Sequence, residues 1–144
     1  PYPEKNFMSR WTKTIMDQYP DFNIVGEVWE EHVLLTSYYQ TNATNTDGYQ
    51  GYLPSITDFP LCFAINTGLM QNDGWAEGMA KIYYALAQDF AYTQPNNNVI
   101  FLDNHDITRF ATNMKGDIAK QKMGFALLAT LRGIPQVYYG MELG

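Results

Sequence analysis

The hydrophobic positions follow two different periods along the chain. Over residues 5–19 the apolar side chains recur at helical spacing, and Pro20 ends the pattern. A short and nearly continuous apolar run follows over residues 22–29. Such a run predicts a strand that is buried on both faces of a parallel sheet.

The same alternation continues to the end of the chain. A polar loop rich in Thr, Asn, Gly and Tyr covers residues 36–54, and Asn72-Asp73-Gly74 is a turn signal between two helical patterns. The predicted helices cover residues 61–70, 75–92 and 118–131, and the predicted strands cover residues 56–59, 99–102 and 136–139.

Strands that alternate with helices predict an α/β fold with a parallel sheet. Two architectures fit this order: a doubly wound open sheet and a (β/α)₈ TIM barrel. A complete barrel takes about 250 residues, or about 30 for each unit, so a chain of this length supplies only about four or five units. On the barrel interpretation, the chain forms a partial barrel.

Composition narrows the function classes. The chain has 144 residues, 46% of them hydrophobic and 17% charged, which is typical of a folded domain. The formal net charge of −6 disfavours a nucleic-acid partner, and no apolar run approaches the length of a membrane span. A single cysteine, Cys62, excludes an intramolecular disulfide and a cysteine-rich zinc site. Aromatic residues make up 15% of the chain, which suits either a sugar-binding cleft or an aromatic core.

Two polar clusters stand where predicted strands end. Glu27 lies in the segment Gly-Glu-Val-Trp over residues 26–29, and Asn104-His105-Asp106 follows the strand at 99–102. Two carboxylates among aromatic side chains suit glycoside hydrolysis, which needs one protonated carboxyl group and other ionised ones. Structural roles are the alternative: Glu27 as a solvated or capping residue, His105 as a structural histidine and Asp106 as a helix N-cap.

These clusters carry a family resemblance. Residues 26–29 (GEVW), 101–106 (FLDNHD) and 133–142 (GIPQVYYGME) are similar to three ordered blocks of the α-amylase family of retaining glycoside hydrolases, glycoside hydrolase family 13. In that family the blocks lie on barrel strands five, seven and eight, and residues 55–60 (SITDFP) resemble the strand-six segment. The resemblance implies a partial (β/α)₈ TIM barrel that contains roughly strands five to eight with their helices.

The resemblance also implies roles for individual residues. Glu27 matches the general acid/base of the family, Asp106 its transition-state-stabilising aspartate, and His105 a side chain that hydrogen-bonds the sugar. Asn104 and Trp29 of the same blocks are further candidates for substrate binding, although packing is the alternative role of Trp29. No metal ligand is assigned, and calcium in a complete protein follows only from the resemblance.

Two family motifs are missing from the sequence. The Gly-x-Arg-x-Asp block of strand four, which carries the covalent nucleophile, is absent, and so is the earlier Asp-x-x-x-Asn-His block. Residues 1–4 (PYPE) resemble the segment just after strand four in the neopullulanase and cyclomaltodextrinase-like branch. We therefore expect residues 1–144 to be a fragment of one catalytic barrel domain, without its N-terminal half and later domains, and with the nucleophile upstream of Pro1.

The expected activity of the parent protein is hydrolysis of α-1,4-glucosidic bonds with retention, on an α-glucan partner, and the fragment alone is expected to be inactive. A transglycosylase or sugar isomerase of the same family and a non-catalytic glucan-binding protein are the alternatives. A secreted or periplasmic location is favoured, because polymeric glucans lie outside cells. A partial barrel leaves two open sheet edges, so we expect the fragment to self-associate.

Overall fold

A computed structural model describes residues 5–143, and the side chains of residues 6–143. The resemblance of residues 1–4 to a family segment falls outside this range. The helices are α1 (Lys5–Gln18), α2 (Val33–Ser37), α3 (Phe59–Met70), α4 (Ala80–Leu86), α5 (Phe110–Asn113) and α6 (Ile118–Thr130). The strands are β1 (Val25–Gly26), β2 (Ser55–Ile56), β3 (Val99–Ile100) and β4 (Ile134–Pro135). Single 3₁₀ turns cover Asp89–Ala91, Pro95–Asn97 and Met141–Leu143.

The four strands run parallel and follow one another in chain order. Strand β1 pairs with β2, and β3 pairs with β4, both in parallel. A parallel bridge between Thr57 and Val99 connects the two pairs into the order β1, β2, β3, β4. Helices α3 and α4 connect β2 to β3, and α5 and α6 connect β3 to β4. The expected α/β class with the strand order of a partial barrel is confirmed, and the described residues do not close the barrel.

Strand β3 is buried on both faces, as is β2. Ile100 and Leu102 pack into the main core with side chains from α3, α4, α5 and α6. Phe101 points to the other face, where it packs against Phe59 and Cys62. Burial raises the pKa of the Cys62 thiol, and the nearby carboxylates of Asp103 and Asp58 add to this effect.

The prediction of a doubly buried strand over residues 22–29 is wrong. Only Val25–Gly26 form a strand, and 46% of Val25 is exposed. The physical reason is that β1 is an edge strand within residues 5–143, with a hydrogen-bonded neighbour on one side only. The apolar run therefore predicted a parallel strand correctly, but it did not predict that this strand lies at an exposed edge.

Several predicted boundaries differ from the observed ones. Phe59 begins α3 instead of ending a strand, because the Asp58 carboxylate caps the helix by accepting a hydrogen bond from the Leu61 amide at 3.0 Å. The predicted helix over residues 75–92 is much shorter, since Gly78 adopts a φ of +60° just before α4 begins. The predicted strand over residues 136–139 is observed at Ile134–Pro135, extended by one hydrogen bond from the Gln136 amide to the Ile100 carbonyl. The sequence pattern did not predict helices α2 and α5, because they have only 5 and 4 residues.

A buried ionic network joins the strand ends. Asp58, which is 1% exposed, accepts hydrogen bonds from the guanidinium of Arg132 and from the side-chain amide of Asn98. Arg132 also donates to both carboxylate oxygens of Asp89. Burial opposes the charge of Arg132, but the hydrogen bonds to Asp89 and the Asp58 carboxylate outweigh it, so the pKa of Arg132 is raised. Arg132 is therefore a permanent cation at the junction of β2, β3 and β4.

The network extends to the polar loop over residues 36–54. The buried Gln40 side chain donates to the side chain of Asn98 at 3.0 Å and to the carbonyl of Gln94 at 2.9 Å. Its own oxygen accepts from Thr93 and from the Gln94 amide. The loop is thus held against the connection that leads into β3. No helix among residues 5–143 is long and apolar enough to cross a membrane.

We predict that Arg132→Gln lowers the free energy of unfolding by about 3 kcal/mol, because it leaves the buried Asp58 carboxylate without its cation. Urea denaturation of the 144-residue chain measures this change. Lys122→Gln removes the same charge from an exposed position on α6 and should change the free energy of unfolding by less than about 0.5 kcal/mol. Equal effects of the two substitutions would contradict the importance of the buried network.

We predict that the 144-residue chain self-associates through its open sheet edges. Both edges expose apolar side chains, with Val25 46% exposed at one edge and Ile134 and Val137 43% and 53% exposed at the other. Phe7 and Trp11 add an exposed apolar face on α1. Sedimentation velocity should show an average mass that rises with protein concentration, and a monodisperse monomer at high concentration would contradict this prediction.

Candidate active site

Glu27, His105 and Asp106 converge at the ends of two strands that are not neighbours. Glu27 directly follows β1, and the other two residues lie in the loop after β3. One carboxylate oxygen of each acid and one ring nitrogen of His105 all lie within 4.8 Å of one another. All three residues are exposed. The structure therefore brings the three principal predicted site residues together at one end of the sheet.

His105 and Asp106 are directly paired. His105 Nε2 lies 3.2 Å from Asp106 Oδ2, and the two side chains are 65% and 39% exposed. Because both groups are open to solvent, the pair contributes little to stability. Its placement beside Glu27 instead makes both groups available to a ligand.

A turn formed by Asn104 shapes the loop that carries this pair. Asn104 Oδ1 accepts hydrogen bonds from the Asp106 amide at 2.9 Å and the Ile107 amide at 3.1 Å, and Asn104 is only 7% exposed. Asp106 does not cap a helix, since the next helix begins at Phe110 with Arg109 in the N-cap position. The alternative role of Asp106 as an N-cap is therefore wrong, and Asn104 has a clear part in positioning the turn. Its role in substrate binding stays a prediction.

Hydrogen bonds to Asp103 also stabilise the loop after β3. The Asp103 carboxylate accepts from the Phe110 amide at 2.7 Å and from Arg109 Nε at 3.0 Å. Arg109 also donates to the carbonyl of Tyr139 at 2.9 Å, and its guanidinium lies 4.8 Å from the ring centre of Tyr138. Through Arg109, the loop after β3 is connected to the loop after β4. The sequence pattern does not indicate these contacts of Arg109 with residues 138 and 139.

Trp29 combines packing with exposure. Its ring stacks on Phe59 with centroids 5.2 Å apart and planes within 5° of parallel. Phe59 in turn contacts Phe101 edge to face, so Trp29 stands at the outer end of an aromatic stack. Because 54% of Trp29 is still exposed, it can also meet a ligand.

A shallow groove of about 390 Å³ includes Asp106 in its lining. It is formed by α3, α5 and the loop between β3 and α5, with the lining residues Phe63, Asn66, Thr67, Met70, Asp106, Ile107, Thr108 and Asn113. Sequence reasoning did not find this groove, because its α3 residues show only the pattern of an ordinary buried helix.

The residues that the structure describes do not form a convincing calcium site. Their one cluster of three metal-binding groups is Glu27, His105 and Asp106. Calcium takes six to eight oxygen ligands, whereas this cluster offers two carboxylates and an imidazole nitrogen. The group has the side-chain types that acid/base chemistry uses, namely two carboxylates beside an imidazole.

Comparison with known proteins identifies the family. Residues 2–144 match the family described as Alpha amylase, catalytic domain. Alpha-amylase 3 of Dictyoglomus thermophilum is 34% identical over 130 residues, which cover 87% of this chain and 23% of that protein. A cyclomaltodextrin glucanotransferase of Bacillus sp. (strain 38-2) is 32% identical over 139 residues, which cover 96% of this chain and 18% of that protein.

Solved structures agree with these relatives. An Anoxybacillus α-amylase superposes with a TM-score of 0.79 at 27% identity, covering 97% of this chain and 29% of that one. An α-amylase of Geobacillus thermoleovorans in complex with acarbose superposes with a TM-score of 0.78, also at 27% identity, covering 96% and 30%. The chain thus spans less than a third of the length of each of these relatives. It belongs to the α-amylase family, and residues 2–144 are sequence of the α-amylase catalytic domain.

Proposed function

We propose that the protein cleaves α-1,4-glucosidic bonds in α-glucans with retention of configuration. The observation that carries this proposal is the convergence of Glu27, His105 and Asp106 within 4.8 Å at one end of a parallel sheet. In α/β barrels the catalytic groups come from the carboxyl ends of different strands, which is where these three residues lie.

In the proposed mechanism Glu27 transfers protons. As the bond between C1 and the glycosidic oxygen breaks, a carboxylate nucleophile attacks C1, and Glu27 gives its proton to the leaving oxygen. In the second step Glu27 takes a proton from water, which attacks C1 and releases the sugar from the enzyme. The ionised Asp106 stabilises the positive charge that develops on the ring, and His105 hydrogen-bonds a ring hydroxyl.

The identity of the nucleophile is a separate part of the proposal. A carboxylate oxygen of Asp106 lies within 4.8 Å of one of Glu27, and a retaining enzyme needs an acid and a nucleophile about 5–5.5 Å apart. Distance alone would therefore admit Asp106 as the nucleophile. The resemblance instead gives Asp106 the stabilising role, so we propose that an aspartate of a Gly-x-Arg-x-Asp strand outside these 144 residues is the nucleophile. On this proposal the 144-residue chain alone does not turn over glucan.

Substrates of the neopullulanase and cyclomaltodextrinase type, namely starch-like glucans, cyclodextrins and pullulan, are our proposed range. The acarbose complex of a structural relative supports an α-glucan ligand. Transglycosylation is the second candidate, because cyclomaltodextrin glucanotransferases are among the relatives at 32% identity. Product analysis with added glucose as an acceptor distinguishes transfer from hydrolysis.

A covalent trap tests the assignment of the nucleophile. We predict that a 5-fluoro-α-maltosyl fluoride labels the longest natural polypeptide that contains this sequence, and that mass spectrometry of its peptides finds the sugar outside these 144 residues. The isolated chain should remain unlabelled, because it lacks the nucleophile. A label on Asp106 would contradict the proposed division of roles, and glucan binding without any label or turnover would favour the non-catalytic alternative.

We predict that Glu27→Gln lowers kcat on maltoheptaose by about 10²-fold to 10⁴-fold in the same polypeptide, because the amide cannot donate the proton to the leaving oxygen. Steady-state kinetics measures the loss. The matched control is Glu31→Gln, which removes an exposed carboxylate four residues away and should leave kcat within about twofold. An active Glu27→Gln enzyme would remove Glu27 from the mechanism.

A further inference from the structure

The hydrogen-bond ladder between β1 and β2 ends just before Glu27. The Ser55 amide donates to the Ile24 carbonyl at 3.3 Å, and the Thr57 amide donates to the Gly26 carbonyl at 3.0 Å. The paired residues stop at Gly26 and Ile56. In a regular parallel ladder the next rung would join the Val28 amide to the carbonyl oxygen of Thr57.

A side chain replaces that rung. The Val28 amide donates to Thr57 Oγ1 at 2.9 Å, and the same hydroxyl donates to the Gly26 carbonyl at 3.4 Å. The hydroxyl therefore acts as acceptor and donor at once, which a hydroxyl group can do. The strand leaves the regular ladder here without leaving the Val28 amide unpaired.

The two backbone groups that Thr57 holds flank Glu27. The Gly26 carbonyl lies on one side of this residue and the Val28 amide on the other. Glu27 itself is exposed and reaches toward His105 and Asp106. One hydroxyl on β2 thus fixes the backbone that carries the acid, while the Glu27 side chain stays free to meet a ligand.

We propose that Thr57 is the positioning residue of the general acid/base Glu27, an inference that rests on the proposed function. Thr57 acts through the backbone and contacts neither substrate nor the reacting atoms. Displacing a catalytic group by about 1 Å can cost about 10²-fold in rate, so loss of this hydroxyl has a catalytic consequence well beyond its effect on stability.

Kinetics of the longest natural polypeptide that contains this sequence test the proposal. Thr57→Val removes the hydroxyl at nearly constant volume and should lower kcat on maltoheptaose about tenfold to 10²-fold, with KM within about twofold. Thr57→Ser keeps the hydroxyl and should restore kcat to within about threefold of wild type. Thr12→Val removes another buried hydroxyl, which donates to the Met8 carbonyl of its own helix, and should leave kcat unchanged.

A substrate that needs no proton separates positioning from general damage. Fluoride leaves without protonation, so Thr57→Val should lose much less rate on α-maltosyl fluoride than on maltoheptaose. Equal losses on both substrates, an unchanged kcat on maltoheptaose, or no restoration by Thr57→Ser would each overturn the proposal.

The amide of Val28 provides a measurement that does not depend on activity. Hydrogen exchange at this amide should be at least about tenfold faster in Thr57→Val than in wild type or Thr57→Ser, because its acceptor is gone. If the wild type does not cleave glucans, the proposed function fails, while unaltered exchange at Val28 would separately overturn the role of Thr57. If Thr57→Val does not fold, Thr57→Ala takes its place. In the wild type itself, an exchange rate of the Val28 amide equal to that of an amide without a hydrogen bond would overturn the inference directly.

Discussion

The buried ion pair between Asp58 and Arg132 is the interaction on which the arrangement of the strands depends. Asp58 follows β2 and caps the N-terminus of α3, whereas Arg132 lies just before β4. Asn98, at the entrance to β3, bonds the same carboxylate. Short strands of two residues each supply few ladder hydrogen bonds, so this network adds much of the specificity of their register. Removal of one partner leaves a buried charge without its counter-ion, which destabilises the folded state.

The register of the sheet in turn creates the site. Glu27 and the pair of His105 and Asp106 belong to segments separated by β2, and they meet because all the strands run parallel and end at the same side. Local hydrogen bonds then orient the backbone that carries each group. The Thr57 hydroxyl holds the backbone around Glu27, and Asn104 holds the amide of Asp106. The exposed catalytic candidates thus depend on neighbouring polar groups that are more buried than they are.

Sequence reasoning found the α/β class, the strand order and the residues that converge, because blocks such as 101–106 are local and recognisable. It did not find the pair of Asp58 and Arg132, because the two residues are 74 positions apart and the local sequence around each gives no sign of the other. It overestimated the burial of β1 because an apolar run does not tell an edge strand from a central one. It also missed the short helices and the role of Thr57, which depend on three-dimensional register and not on periodicity.

The most direct test of the central claim is a crystal structure of acarbose bound to the longest natural polypeptide that contains this sequence. The account predicts that a Glu27 carboxylate oxygen lies within about 3.2 Å of the bridging nitrogen of the inhibitor, with Asp106 and His105 contacting the adjoining ring. An inhibitor bound elsewhere, with Glu27 and Asp106 free of sugar contacts, would contradict the claim that their convergence forms the catalytic centre.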